Sequence, residues 1–208
     1  MSAVKTDALA WWRNHGSEAT FAQAWDATTQ RHRQAVLRSL VGVPFVSLLE
    51  LGCGVGTNLR LIQETYPAIA RLAGVDANEN ALAYASERLS GVALAKGTFL
   101  EGLAGTDPYE IILTSYALAY VPPEEIGGVM ELILHKPGVQ MVIIAEPQGG
   151  WFGPIGQMQD DRQFPEWRHD YARLIRVRRP MAVMVQRPVW PPENWCDGVL
   201  TAYFMEGA

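Results

Sequence analysis

Glu50-Leu51-Gly52-Cys53-Gly54-Val55-Gly56-Thr57-Asn58 is the stretch on which the fold of this chain turns. Glycine at every second position lets the backbone bend sharply and approach a ligand with no side chain between them. The stretch begins in VSLLEL (46–51), an apolar run that suits a strand buried on both faces. It leads into Thr57–Tyr66, a helical pattern stopped by Pro67. RLAGVD (71–76) reads as a second strand and Asn78–Leu89 as a second helix, with Leu82, Ala85, Ser86 and Leu89 on one face and Gly91 at its end.

Further along, VALA (92–95) reads as a third strand and YEIILTS (109–115) as a fourth, entered through the turn Asp107-Pro108. Pro122-Pro123-Glu124-Glu125 starts a helix, with proline in its first turn and acids near the positive end of its dipole. Ile126, Val129, Met130 and Ile133 form its apolar face, and Pro137-Gly138 stops it before VQMVIIA (139–145), a fifth strand. Strands alternating with helices imply right-handed crossovers and a parallel sheet covered on both faces. Residues 147–165 read as a loop and Glu166–Ile175 as a helix, while PMAVMVQRPVW (180–190) and DGVLTAYFM (197–205) leave room only for an antiparallel hairpin. Upstream, residues 8–41 are helical with a break at Gly16 and Ser17, and Phe21, Trp25, Thr28, Val36, Leu37 and Leu40 fall at helical spacing. The expected division is a helical extension over 1–43, packed on or covering a ligand-binding domain over 44–208.

At 208 residues and 49% hydrophobic, the chain can bury the core of one ordinary domain. Its net charge of -5 lacks the basic excess of a phosphate-reading surface, so a nucleic-acid partner is not expected. Two cysteines, Cys53 and Cys196, offer no disulfide framework and no zinc-ligand spacing, so no metal is expected. With neither a signal-like N-terminus nor a bilayer-length apolar run, a cytoplasmic location with no membrane partner is expected, and a homodimer is left open.

Asp76 ends the second strand twenty residues after Gly56, where an acid can accept hydrogen bonds from both ribose hydroxyls of an adenosine. The turn is not a dinucleotide fingerprint. Counting G-x-G-x-x-G from Gly52 puts Thr57 where the third glycine belongs, and counting from Gly54 puts Leu59 there. Glu50, just before the turn, would repel a pyrophosphate but suits a cationic amino-acid group. The turn therefore favours S-adenosylmethionine over a nicotinamide cofactor.

LLELGCGVGTNLRLI resembles motif I of the class I S-adenosylmethionine-dependent methyltransferases, and LAGVDANENALAYA resembles the stretch that follows it. The resemblance covers about residues 46–146 and implies a Rossmann-like, seven-stranded, mostly parallel sheet. It also implies that Gly52, Gly54 and Gly56, with Cys53 and Asn58 in the same turn, wrap the methionine part of the cofactor. Glu50 then lies near its ammonium, Asp76 on its ribose and Ala77 by its adenine. Gly97-Thr98 stands where the family often has Gly-Asp, so a hydroxyl or backbone amide replaces that adenine contact. Ser115 and Tyr116, after the fourth strand, match the floor of the cofactor site, and Tyr120 leads towards substrate.

Methyl transfer needs the nucleophile aligned and water excluded, while a base is needed only by some acceptors. His169, Glu146 and Tyr120 are the candidate catalytic groups. His135 reads as a helix-end residue and His32, between Arg31 and Arg33, as solvated. Trp12, His15, Trp25, Tyr120 and Arg168 are the candidate acceptor-binding residues. Arg162, Arg168, Arg173, Arg176, Arg178 and Arg179, with Trp151, Phe152 and Trp167 nearby, form either a solvated face or a clamp for an anionic acceptor. The expected activity is methylation of oxygen or nitrogen on a small molecule of sugar or secondary-metabolite type. The alternatives are a protein or RNA acceptor, or a cofactor-binding subunit that acts through a partner.

Overall fold

The computed structural model describes residues 8–105, 107–148, 156–157, 166–193 and 196–204. The N-terminal extension is three helices: α1 (Ala8–Asn14), α2 (Glu18–Asp26) and α3 (Arg31–Leu40). The break at Gly16-Ser17 has a local cause, because Ser17 caps α2 in a capping box with Thr20. Then come β1 (Ser47–Leu51), α4 (Thr57–Thr65), β2 (Arg71–Asp76), α5 (Glu79–Ser86) and β3 (Ala93–Lys96). They are followed by α6 (Phe99–Gly105), β4 (Ile111–Ser115), a 3-10 turn (Leu118–Tyr120), α7 (Pro123–Leu134) and β5 (Met141–Ala145). A two-residue ribbon, β6 (Gly156–Gln157) with β7 (Trp167–Arg168), precedes α8 (Tyr171–Arg178), and β8 (Val183–Glu193) and β9 (Cys196–Tyr203) close the chain.

The sheet has seven strands in the order β3-β2-β1-β4-β5-β9-β8. The first five are parallel, β9 runs antiparallel to β5, and β8 antiparallel to β9. Side chains alternate between its faces. Leu49, Leu51, Ile112, Val142 and Ile144 pack under α6, α7 and α8. Leu48, Ile111, Leu113, Met141 and Ile143 pack under α3, α4 and α5.

Two expectations change. Helix 166–175 gives way to α8 at Tyr171, because Asp170 accepts a hydrogen bond from the Arg173 N–H at 2.9 Å and caps the helix there, while Trp167 and Arg168 pair with β6. A further helix, α6, stands between β3 and β4. Thr98 and Glu101 start it, the Glu101 carboxylate accepting from the Thr98 N–H and hydroxyl, and the Thr98 hydroxyl accepting from the Glu101 N–H. Trp151, Phe152 and Arg162 lie outside the described residues.

Candidate active site

The carboxyl ends of β1, β2, β4 and β5 form one edge, and the glycine turn lies across it. Gly52 holds φ +74°, and a β-carbon there would overlap that of Ala117 on the next crossover. Gly54, at φ +53°, faces open space, with no atom within 4 Å of where a β-carbon would stand. The turn thus presents bare backbone outward, as a close-fitting ligand needs.

Asp76 ends β2 beside it. One carboxylate oxygen accepts the Gly54 N–H at 2.7 Å and the other the Asn78 N–H at 2.8 Å. Burial raises its pKa, and backbone bonds from Asn78, Gly54 and Ala77 oppose the rise. Asn78 does two further things. Its side-chain oxygen caps α5 through the Ala81 N–H, and its amide nitrogen donates to the carbonyls of Trp12 and His15 at 2.8 and 2.6 Å. The end of α1 is thereby tied two residues from the acid expected on the ribose. Asn78 is legible in the sequence as a helix cap, but its hold on α1 is not.

Glu50 is 1% exposed at the end of β1. One of its oxygens accepts from Asn58 at 2.6 Å, and Asn58 in turn accepts from the Arg33 guanidinium at 2.8 Å. Its Oε2 is buried with no hydrogen-bond partner among the described residues. Burial pushes the carboxyl up to about 8, Asn58 and Arg33 pull it down, and the Asp76 and Glu146 carboxylates add to the rise. An unpaired buried oxygen with Arg33 two bonds away fits the zwitterionic end of S-adenosylmethionine, the ammonium meeting Glu50. Cys53 is buried in the same turn and its thiol is pushed well up by burial.

After β4 the chain passes through Tyr116 at φ 54°, the one non-glycine residue with positive φ among those described. The carboxylate of Glu146, fully buried just after β5, holds the turn that follows. It accepts N–H bonds from Ala117, Leu118 and Ala119 at 3.0 to 3.2 Å. Burial raises this carboxyl to about 7 against those bonds. Glu146 is thus a positioning group for the turn, because its oxygens are engaged by backbone.

His169 is likewise buried, with Nε2 3.0 Å from the Val121 carbonyl, so that nitrogen carries the proton. Burial lowers its pKa, and backbone bonds with Val121 and Leu118 oppose the fall. The imidazole thus also holds the turn, at Leu118 and Val121. Tyr120 donates its hydroxyl to Glu166 at 3.0 Å, and its ring lies 5.0 Å from that of Trp12. His15 stacks on Trp11 at 3.3 Å and lies 5.8 Å from Trp12, so Trp12, His15 and Tyr120 do come together.

Other expected residues are placed elsewhere. Trp25 lies under the Arg60 guanidinium, 4.3 Å away, and against Tyr84, packing α2 on α4 and α5. The Thr98 hydroxyl and N–H are both bound to Glu101, so neither stands ready for an adenine. Gly97 donates its N–H to the Asp76 carbonyl, Ala77 follows half-buried, and Ser115 pairs with Ala145 at the floor. Arg168 is half-buried on β7. Arg178 donates to the Gly127 carbonyl and Arg179 to that of Leu134, which ties α8 to α7 and removes both from an anion clamp. His135, at the end of α7, pairs with Glu131. His32 is the clearest correction: expected in solvent, it is 2% exposed.

A parallel sheet with this edge defines a Rossmann-like cofactor-binding fold. Residues 48–135 match the methyltransferase domain family. Magnesium protoporphyrin IX methyltransferase (ChlM) from Synechocystis PCC 6803, solved with bound S-adenosylmethionine, superposes over 98% of this chain and 99% of its own, with TM-score 0.65 and 13% identity. DesVI of Streptomyces venezuelae superposes over 91% and 99%, with TM-score 0.64 and 13% identity. The plantazolicin methyltransferase BpumL, solved with a desmethyl analogue and S-adenosylhomocysteine, is 19% identical, and the match spans 66% of this chain and 56% of that one at TM-score 0.50. No curated protein matches the chain in sequence. Over residues 48–135 the sequence thus resembles a methyltransferase domain, and the chain shares the fold of these solved structures. Among the described residues, no helix is long and apolar enough to cross a membrane, and no cluster of metal-ligating side chains occurs.

Proposed function

We propose that this enzyme methylates a protic nitrogen or oxygen of a small-molecule acceptor bound beneath the N-terminal helices. The observation that carries the reading is the meeting of Trp12 with Tyr120 beside Asn78. It supports a role for α1 as a cover over the edge proposed for the cofactor, with aromatic side chains suited to contacting a compact organic molecule. Bound S-adenosylmethionine supplies an electrophilic methyl group. The chain's own residues hold it, with Glu50 at the ammonium, Arg33 at the carboxylate and Asp76 at the ribose, while Tyr116 and Ser115 form the floor.

The small acceptors named for ChlM and BpumL agree with this reading. Because Glu146 and His169 are engaged by backbone, an amine that arrives neutral, needing no base, suits the site best. Arg168 and the exposed Arg173 are the groups assigned to an acidic part of the acceptor. The test is transfer of labelled methyl to a panel of amine- and hydroxyl-bearing small molecules, alongside transfer RNA and a protein extract. Label confined to small molecules supports the reading, and label confined to RNA or protein overturns it.

A further inference from the structure

His32 lies in the first turn of α3 and is 2% exposed, yet neither imidazole nitrogen has a hydrogen-bond partner among the described residues. A buried polar group left open costs stability and calls for a partner that comes from elsewhere. Its surroundings say which. The ring lies edge-on to that of Tyr116 with centroids 5.1 Å apart, against the strained residue that follows β4. The next residue, Arg33, turns about 100° around the helix and reaches Asn58, which joins Glu50. Arg33 therefore marks the amino-acid end of the cofactor, and His32 lies beside it against Tyr116, on the β4 side.

We propose that His32 is the hydrogen-bond partner of the methyl acceptor, its open nitrogen accepting from the N–H or O–H of the atom to be methylated. The inference rests on the methyltransferase reading of the same site. Burial and the neighbouring Arg33 hold the imidazole pKa down at about 3, so the ring stays neutral and keeps a lone pair to offer. Its role is orientation, with no proton stored on the ring. A neutral imidazole also offers one N–H donor, which favours an acceptor carrying a second oxygen next to the reacting atom.

Sinefungin tests this without knowing the acceptor, since it carries an amine-bearing carbon where the cofactor carries sulfur and methyl. Calorimetry compares its affinity with that of S-adenosylhomocysteine in the wild type, His32→Phe and His32→Gln. The expected result is a wild-type preference for sinefungin of about tenfold, lost in His32→Phe, with S-adenosylhomocysteine affinity held within about twofold. His32→Gln, which still accepts a hydrogen bond, retains part of the preference. If both ligands weaken together in His32→Phe while 5′-methylthioadenosine does not, His32 seats the amino-acid end and the proposal fails. If neither changes, His32 is a core residue and the proposal fails. Should the wild type bind none of the three, the cofactor reading itself falls.

Discussion

Asp76 and Glu50, the two acids proposed to hold the cofactor, are set up by opposite physics. Asp76 is stabilised by backbone N–H groups that also fix the Gly54 turn. Asp76→Ala should therefore weaken S-adenosylhomocysteine binding by about ten- to a hundredfold, as loss of hydrogen bonds to a charged group predicts, measured by calorimetry. Glu50 sits near 8 in the free enzyme, so at pH 7 it is mostly protonated. A bound ammonium favours the ionised form, and binding should release a proton. Calorimetric enthalpies at pH 7 should then differ between phosphate and Tris buffers, and affinity should rise from pH 6 to pH 8. Equal enthalpies in both buffers would show that Glu50 is not coupled to the ligand. The importance of Glu50 could be read from its place before the glycines, but the bridge through Asn58 to Arg33 joins segments 25 residues apart and could not.

Among the elements, those with a strong period were legible: the five parallel strands, α4, α5, α7 and the closing hairpin. The short ones were missed for identifiable reasons. In α6 the apolar pattern is brief, and the signal that was present was the Thr98–Glu101 capping pair. Thr98→Ala should cost about 0.5–2 kcal/mol of stability in denaturant unfolding, and leave S-adenosylhomocysteine affinity unchanged. A large loss of affinity would return Thr98 to the adenine site. The 3-10 turn after β4 is held by Glu146 from 27 to 29 residues away, a partnership with no local trace in the sequence. Glu146→Ala leaves three backbone donors unanswered and should destabilise by several times about 1 kcal/mol, seen as a lowered thermal midpoint. A normal midpoint with lost turnover would instead make it a base.

At the scale of the whole molecule, the buried titratable groups set opposing slopes of stability against pH. Glu50 and Glu146 have folded pKa values of about 8 and about 7, above the ordinary carboxyl value of 4.5. The unfolded chain loses those protons first, so each group lowers stability as pH rises above 4.5, until its folded value is reached. His32 works in the other direction. Its folded value of about 3 lies below 6.5, so the stability tied to its neutrality is lost as pH falls from 6.5 to 3. The unliganded enzyme should therefore melt lower at pH 8 than at pH 5.5, and saturating S-adenosylmethionine should narrow the gap. An unchanged melting point across that range would mean that both carboxyls titrate normally. None of these shifts could be read from residue type, because each follows from burial that tertiary packing alone creates.

The hydroxyl of Ser39, near the end of α3, meets Thr201 of β9 at 3.2 Å and Arg187 of β8 at 3.4 Å. These contacts reach across 162 and 148 residues of chain. The helix that carries His32 and Arg33 is therefore made early and finds its seat last. While the ribosome builds the parallel strands, its apolar face has no complete surface to rest on, and β5 has no neighbour on its open side. Assembly of the catalytic edge must wait for the final hairpin, so folding should be slow for a domain of this size. A nascent chain halted before β9 would expose both that helix and the β5 edge, and such a species is prone to aggregate.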